Sequence, residues 1–147
     1  MTSSIVIVDN EPDLLVTYER FLRGCGFKIL AARSREEAFP HLASDGVALV
    51  VTEARLPDGD GLELIRIARG KQPPASGIVV TAFPSRVESR RAREVGAAAY
   101  LAKPFSGREL IAVVERQLAV WRGARCRLTA GELPFPGARG ADSTGSL

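Results

Sequence analysis

Continuous apolar segments alternate along the chain with segments in which apolar residues recur every three or four positions. Continuous runs rich in Ile and Val are typical of strands that are buried on both faces. Spacing of three to four, as in Leu14, Tyr18 and Leu22, predicts amphipathic helices that follow the strands. The predicted strands cover residues 4–9, 27–32, 47–53, 78–80 and 98–102.

Alternation of strands and helices implies a parallel sheet with right-handed crossovers and helices on both faces. The predicted fold class is therefore α/β, with three α/β/α layers and five parallel strands, over residues 3–122. From Gly123 onward the sequence changes to Gly, Arg, Ala, Pro and Ser without periodicity. This composition predicts a disordered or linker tail over residues 123–147.

Helix starts are marked by capping residues. Ser34, Ser85 and Ser106 are each followed three positions later by Glu, the pattern of a capping box. Asn10 precedes Pro12 and is predicted to cap the first helix, because its side-chain oxygen can accept a free N–H. Two further residues, Asp60 and Gly61, are predicted to open the third helix.

Composition limits the function classes. The 147 residues are 46% apolar and 25% charged, and Cys25 and Cys126 are too few for a disulfide framework. No apolar run approaches the roughly 18 to 20 residues that span a bilayer, and no secretory signal precedes the first strand. We therefore expect a cytoplasmic protein without a membrane partner. A net charge of +3 is too small to argue for direct nucleic acid binding, which stays an alternative resting on the pI and one arginine-rich helix.

Reactive side chains follow four of the predicted strands. Asp9 ends the first strand, Glu53 the third, Thr81 follows the fourth and Lys103 follows the fifth. In open parallel sheets the carboxyl ends of the strands form the edge at which ligands bind. The sequence therefore predicts a site with two acids, a hydroxyl and an amine at one edge.

Four motifs in this order resemble the receiver domain of bacterial two-component response regulators. They are Ile7-Val-Asp-Asn-Glu11, Leu56-Pro-Asp-Gly-Asp-Gly61, Val80-Thr-Ala82 and Tyr100-Leu-Ala-Lys-Pro-Phe105. The resemblance spans residues 3–122. It implies a flavodoxin-like fold with strand order 2-1-3-4-5.

The resemblance also implies roles for individual residues. In that family Mg²⁺, held by acids after the first strand and by the third-strand Asp, helps that Asp to take a phosphoryl group. A Thr or Ser and a Lys bind the phosphoryl oxygens, and an aromatic residue changes rotamer on activation. By position, the acidic pair and metal ligands are Asp9 and Asn10, the acceptor is Glu53, and the phosphoryl-binding and switch residues are Thr81, Lys103 and Tyr100.

Two positions depart from the family pattern. The acceptor is Glu53 where the family has Asp, and Asn10 is neutral where the family has an acid. Because Mg²⁺ requires near-octahedral oxygen ligands and usually one or two carboxylates, its binding should be weak or absent at Asp9, Asn10 and Glu53. Counting Asp9, Glu53 and Lys103 gives the site a charge of −1, where the usual pattern gives −2. No cofactor is expected, apart from a weakened Mg²⁺ site.

The departures predict an atypical, non-enzymatic receiver that acts by protein contact and is not phosphorylated in the usual way. Glu53 either mimics the phosphorylated state or leaves the domain indifferent to phosphate, and the sequence does not choose between these. The alternative is a phosphorylatable, Mg²⁺-dependent receiver that accepts its phosphoryl group from a sensor histidine kinase. The sequence also does not distinguish a stand-alone receiver from one belonging to a longer regulator.

The helix after the fourth strand is a candidate partner surface. Arg86, Arg90 and Arg93 share one face by spacing. Charged helix faces are usually only solvated. In the resembling family, however, this helix belongs to the usual partner surface, so the three arginines are candidates to bind an acidic protein: a kinase, an effector or a second copy of the chain.

Overall fold

The computed structural model describes residues 3–129 of the chain. Strands and helices alternate along this range, as the hydrophobic pattern predicts. In chain order, the elements are β1 Ser4–Val8, α1 Pro12–Leu22, β2 Lys28–Ala32, α2 Arg35–Ala43, β3 Val47–Glu53, β4 Arg55–Leu56, β5 Gly59–Asp60, α3 Leu62–Arg69, β6 Ser76–Thr81, α4 Arg86–Glu94, β7 Ala99–Ala102 and α5 Gly107–Thr129.

Five strands form one parallel sheet in the order β2-β1-β3-β6-β7. Within the sheet, Ile5 of β1 lies opposite Ile29 of β2 on one side and Leu49 of β3 on the other. If only the five strands of this sheet are numbered, leaving out β4 and β5, their order is 2-1-3-4-5, which confirms the predicted topology. The order changes direction between β1 and β3, so the ends of these two strands flank the crevice where ligands bind in such sheets.

The core lies on both faces of the sheet, because every residue of β1 and β6 is buried and β3 is buried up to Thr52. Val6 and Val50 pack on one face with Ile65 of α3. Ile7 and Val51 pack on the other face, in a cluster that includes buried side chains of α1 and α5. Each large apolar side chain buried in this way contributes about 1.5–3 kcal/mol. The sheet is therefore a rigid support for the residues that follow its strands.

Helix α5 is longer than predicted, so the boundary of the tail at Gly123 is wrong. The helix continues to Thr129. Arg122 lies over the Phe27 ring at 4.8 Å and Arg125 over the Trp121 ring at 5.3 Å, so basic side chains secure the helix where apolar spacing ends. The rest of the predicted tail, residues 130–147, lies outside the described residues.

Two helix starts also differ from prediction. Asn10 caps no helix; Glu11 occupies the cap position of α1 without a side-chain cap bond. Helix α3 begins at Leu62, because Arg55–Leu56 and Gly59–Asp60 pair as a short antiparallel hairpin before it. Two-residue strands carry too little pattern to be predicted.

The three predicted serine caps are present. The hydroxyls of Ser34, Ser85 and Ser106 accept the backbone N–H three residues on, at 3.0–3.2 Å. Within residues 3–129 no helix has the length and hydropathy needed to cross a bilayer.

Candidate functional site

Lys103 is the centre of a charged cluster at the carboxyl edge of the sheet. Its Nζ donates hydrogen bonds to Asp9 Oδ2 at 2.9 Å, to Glu53 Oε2 at 3.0 Å and to Glu11 Oε1 at 3.1 Å. The ends of β1 and β3 and the segment after β7 supply these residues, so the predicted meeting of strand ends is observed. One ammonium group therefore contacts three carboxylates.

Glu53 is held at both of its carboxylate oxygens. Oε2 accepts from Lys103, and Oε1 accepts the backbone N–H of Asn10 at 3.0 Å. The side chain is only 13% exposed. Gly61 packs against the Glu53 backbone so closely that a Cβ at that position would lie 1.9 Å from the Glu53 carbonyl oxygen. Glycine is therefore required there if the β4–β5 hairpin is to fold back over the strand end.

Asp9 is fully buried and Lys103 nearly so. Burial raises the pKa of Asp9 and the charge of Glu53 adds to the rise, whereas hydrogen bonds from Glu11 N–H and Lys103 oppose it. Burial acts to lower the pKa of Lys103, but its hydrogen bonds to the three carboxylates outweigh burial and raise it. Lys103 therefore stays an ammonium group at neutral pH.

Glu11 is the site residue that sequence reasoning missed. The acidic pair that contacts Lys103 is Asp9 with Glu11, whereas the prediction was Asp9 with Asn10. Asn10 is exposed and contributes its backbone N–H to Glu53. Because Glu11 supplies a third carboxylate, the cluster carries a charge of −2, and the predicted −1 is wrong. The available signal was the position of Glu11 in the same motif, just before Pro12.

The cluster offers ligands of the kind that a divalent cation requires. Carboxylate oxygens of Asp9, Glu11 and Glu53 lie within 4.8 Å of one another. These residues would hold Mg²⁺, whose chemistry there would be to neutralise negative charge on the acceptor and on an incoming phosphoryl group. Glu11 joins Asp9 and Glu53 in this set, and a ligand role for the exposed Asn10 side chain stays a prediction. Lys103 contacts the same three carboxylates, so a cation competes with its ammonium group.

Thr81 is buried at the end of β6, but its hydroxyl is engaged elsewhere. Thr81 Oγ1 accepts the backbone N–H of Phe83 at 3.1 Å. Over residues 3–129 no side-chain hydrogen bond joins Thr81 to Glu53 or Lys103; the bond between Thr81 and Lys103 is a backbone one, in which the Thr81 carbonyl accepts the Lys103 N–H at 2.7 Å. The structure thus brings Glu53 to the predicted amine but not to the predicted hydroxyl.

Tyr100 of β7 contacts helix α4. Its hydroxyl donates to Glu88 Oε1 at 2.8 Å and accepts the Ser85 N–H at 3.1 Å. Burial raises the pKa of the Tyr100 phenol, and its hydrogen bond to the Glu88 carboxylate raises it further. Glu88 is only 7% exposed, and its second carboxylate oxygen lies 3.7 Å from Arg55 Nε. Sequence reasoning assigned Glu88 only to a capping box.

The three candidate partner arginines are exposed around one cleft. Arg86, Arg90 and Arg93 line it together with Ser85, Ser89 and Tyr100. None of the three is ion-paired within the range that the structure covers, whereas the neighbouring Arg91 pairs with Asp60. Arginines left without carboxylate partners are available to an acidic ligand.

Comparison with known proteins gives a consistent result. The family model described as the response regulator receiver domain matches residues 5–115. The response regulator proteins FleR and PilR of Pseudomonas aeruginosa are 30% and 34% identical, over 116 and 114 residues. The matches cover 79% and 76% of this chain, but only 24% and 26% of those proteins. The chain thus spans about a quarter of the length of these two relatives.

A solved structure agrees with the fold. The crystal structure of a CheY-like response regulator receiver domain protein from Methanospirillum hungatei JF-1 is similar with a TM-score of 0.76 and 26% identity. The match covers 84% of this chain and 98% of that structure. The similarity therefore extends over a whole receiver domain.

Proposed function

The chain belongs to the response regulator receiver domain family, and from this premise we propose that it is an atypical receiver that signals by protein contact without being phosphorylated in the usual way. The proposed location is cytoplasmic, and neither catalysis nor direct nucleic acid contact is part of the proposed role. The observation that carries the proposal is that Glu53 occupies the acceptor position and that both of its carboxylate oxygens are hydrogen-bonded.

Both carboxylate oxygens of Glu53 have partners, which argues against attack on a phosphoryl donor. Oε2 bonds Lys103, and Oε1 bonds the Asn10 N–H. An acceptor must present one oxygen to phosphorus, and here each oxygen already accepts a hydrogen bond, from a nearly buried cation or from a backbone donor. The added methylene of Glu also carries its carboxylate farther from the strand than that of an Asp, and Oε2 lies 3.0 Å from Lys103 Nζ.

The contacts favour a domain that is indifferent to phosphate over one that mimics the phosphorylated state. Mimicry by Glu53 would require contact with both Lys103 and Thr81, but Thr81 bonds Phe83 instead. A carboxylate also carries one negative charge, compared with about −1.5 to −2 for a phosphoryl group. Glu53 therefore makes one of the two contacts expected of a phosphoryl group, the one to Lys103, and it carries less negative charge than that group.

The proposed contact surface is the arginine cleft of α4, lined by Arg86, Arg90 and Arg93. Unpaired guanidinium groups fit an acidic protein surface, because bidentate contacts to carboxylates are among the stronger hydrogen bonds. Partners of this chemistry include a sensor kinase, an effector or a second copy of the chain.

The test is the intact mass of the protein after incubation with a small-molecule phosphodonor and Mg²⁺. We expect no added phosphoryl mass on the wild type. The double variant Glu53→Asp, Asn10→Asp should gain one phosphoryl group, because it has a shorter acceptor and the second acid. Glu53→Gln serves as the matched control for modification elsewhere. A phosphoryl group on wild-type Glu53 would overturn the proposal.

A phosphorylatable receiver is the second candidate, and the position of Glu11 favours it. With Glu11 the site has three carboxylates that suit a divalent cation, as the family pattern requires. If this candidate is correct, the wild type gains mass in the same experiment, and Glu11→Gln reduces the gain more than Asn10→Ala does. Peptide mapping then identifies the modified residue.

A further inference from the structure

Glu88 is a buried acid outside the charged cluster, and its contacts differ from those that its motif predicts. In a complete capping box, Glu88 would accept the N–H of Ser85. One half of the box is present, since Ser85 Oγ accepts the Glu88 N–H at 3.1 Å. In the other half the Tyr100 hydroxyl takes the place of the carboxylate: it accepts the Ser85 N–H at 3.1 Å and donates to Glu88 Oε1 at 2.8 Å.

This arrangement joins the start of α4 to its neighbours on two sides. Tyr100 belongs to β7, so its hydroxyl connects that strand to the first turn of the helix. Arg55 belongs to the β4–β5 hairpin and approaches the other Glu88 oxygen to 3.7 Å. An ion pair between Arg91 and Asp60 makes a second connection to the same hairpin.

Thr81 takes no part in these connections. Its hydroxyl bonds the Phe83 N–H, and no hydrogen bond links it to Tyr100 within residues 3–129. Tyr100 satisfies its hydroxyl completely with Ser85 and Glu88, as donor and as acceptor. Nothing in this set of contacts requires a ligand at Glu53.

We propose that Glu88 is a positioning residue, which fixes Tyr100 and the first turn of α4 in one arrangement whatever the state of Glu53 and Thr81. The arginine cleft, whose lining includes Tyr100, is then held ready for its acidic partner at all times. The inference rests on the proposed function in one respect only, which is that α4 carries the partner surface.

The test is amide hydrogen exchange at Ser85 together with the NMR signals of the Tyr100 ring. Tyr100→Phe removes the acceptor of the Ser85 N–H, and Glu88→Ala removes the group that orients the phenol. Each variant should accelerate exchange at Ser85 about tenfold or more. Glu88→Gln keeps an acceptor oxygen for the phenol and should retain most of the protection, which a purely electrostatic role for Glu88 does not predict.

Two matched variants give the comparison. Glu94→Ala removes an exposed acid from the other end of α4 and should leave Ser85 exchange unchanged within twofold. Thr81→Val should also leave it unchanged, because the Thr81 hydroxyl makes no hydrogen bond to Tyr100. Glu88→Ala could unfold the domain; in that case Tyr100→Phe and Glu88→Gln decide the question without it.

Two results would overturn the inference: acceleration by Thr81→Val as large as that by Tyr100→Phe, or unchanged Ser85 exchange in Tyr100→Phe. Neither measurement uses a phosphodonor, so it is independent of the mass experiment. Repeating it on the phosphorylated Glu53→Asp, Asn10→Asp variant separates the proposals further. Positioning by Glu88 predicts unchanged exchange at Ser85, even if wild-type Glu53 proves to be an acceptor.

Discussion

Two largely buried glutamates, one at the end of a strand and one in a helix, are stabilised in different ways. Glu53, at the end of β3, bonds an ammonium group and a backbone N–H. Glu88, in α4 beside β7, bonds a phenol and approaches an exposed guanidinium group. The first belongs to a cluster of four charged groups with a charge of −2, whereas the second closes a short network of mainly neutral hydrogen bonds.

The difference shows that the acceptor position and the partner helix are stabilised separately. The hydroxyl of Thr81, which the resemblance assigns to phosphoryl binding, hydrogen-bonds to neither glutamate. A charged cluster depends strongly on its counter-ion, because an unpaired buried charge is costly. The network around Glu88 depends on single hydrogen bonds, and each of these contributes less than a buried ion pair. The two regions should therefore respond to substitution with very different magnitudes.

The largest expected effect is that of Lys103→Met, which removes the ammonium group from between three carboxylates. Breaking a buried ion pair costs roughly 3–5 kcal/mol, and we expect about 3 kcal/mol because Glu11 is 61% exposed and can turn into solvent. Urea unfolding at pH 7 measures the loss. Millimolar Mg²⁺ should restore part of the stability of the variant and add little to the wild type, because the metal no longer competes with Lys103.

Lys28→Met is the matched control, since Lys28 is exposed on β2. It should change the free energy of unfolding by about 0.5 kcal/mol or less. Equal losses in the two variants, or a loss in Lys103→Met that Mg²⁺ does not reduce, would show that the ammonium group is not the counter-ion of this cluster.

The sequence predicts the sheet well, because its information is local and repeated. Ile5 to Val8 and Val47 to Val51 form continuous apolar runs, which only a strand covered on both faces accommodates. The serine caps are equally local, since each cap and the N–H that it accepts lie three residues apart. The strand order was predicted from the resemblance to a family, because the alternation of strands and helices alone does not determine which strands are neighbours in the sheet.

The missed features depend on contacts between distant residues. Asn10 and Glu11 are adjacent, and no local rule states which of the two side chains turns toward Lys103, 92 positions away from Glu11. Glu88 follows the capping-box pattern, and only the packing of β7 against α4 brings Tyr100 between its two halves. Helix α5 continues past 122 because Arg122 contacts Phe27, a pairing that helical periodicity does not contain.

A smaller effect of opposite sign is expected for Asp9→Asn. Burial raises the pKa of Asp9 above its ordinary value of 3.8 in the folded state, so the charged form of this carboxylate opposes folding. Removing the charge should stabilise the protein at pH 7. Glu53 and Glu11 remain as partners for Lys103, so no cation is left unpaired.

The pH dependence of this effect has a definite sign. Below pH 3.8 Asp9 is protonated in both the folded and the unfolded state, so the advantage of Asp9→Asn should be absent. As the pH rises above that value, the unfolded chain releases its proton first, and the wild type loses stability relative to the variant until the raised folded-state pKa is passed. Asp45→Asn, at an exposed position, is the matched control for the loss of one carboxylate. A destabilised Asp9→Asn at pH 7 would mean that attraction to Lys103 outweighs burial.

The smallest expected effect is a coupling free energy near zero between the two regions. In a double-mutant cycle, Glu53→Gln and Tyr100→Phe should add within about 0.5 kcal/mol, because the two side chains share no hydrogen-bond partner. Glu53→Gln and Lys103→Met provide the contrast, since their side chains are in direct contact at 3.0 Å and their coupling should exceed about 1 kcal/mol. Urea unfolding of the single and double variants gives both values. A coupling above 1 kcal/mol in the first cycle would mean that Thr81 transmits the state of Glu53 to Tyr100 through packing alone. The acceptor position and the partner helix would then not be stabilised separately, even though no side-chain hydrogen bond joins Glu53 to Tyr100.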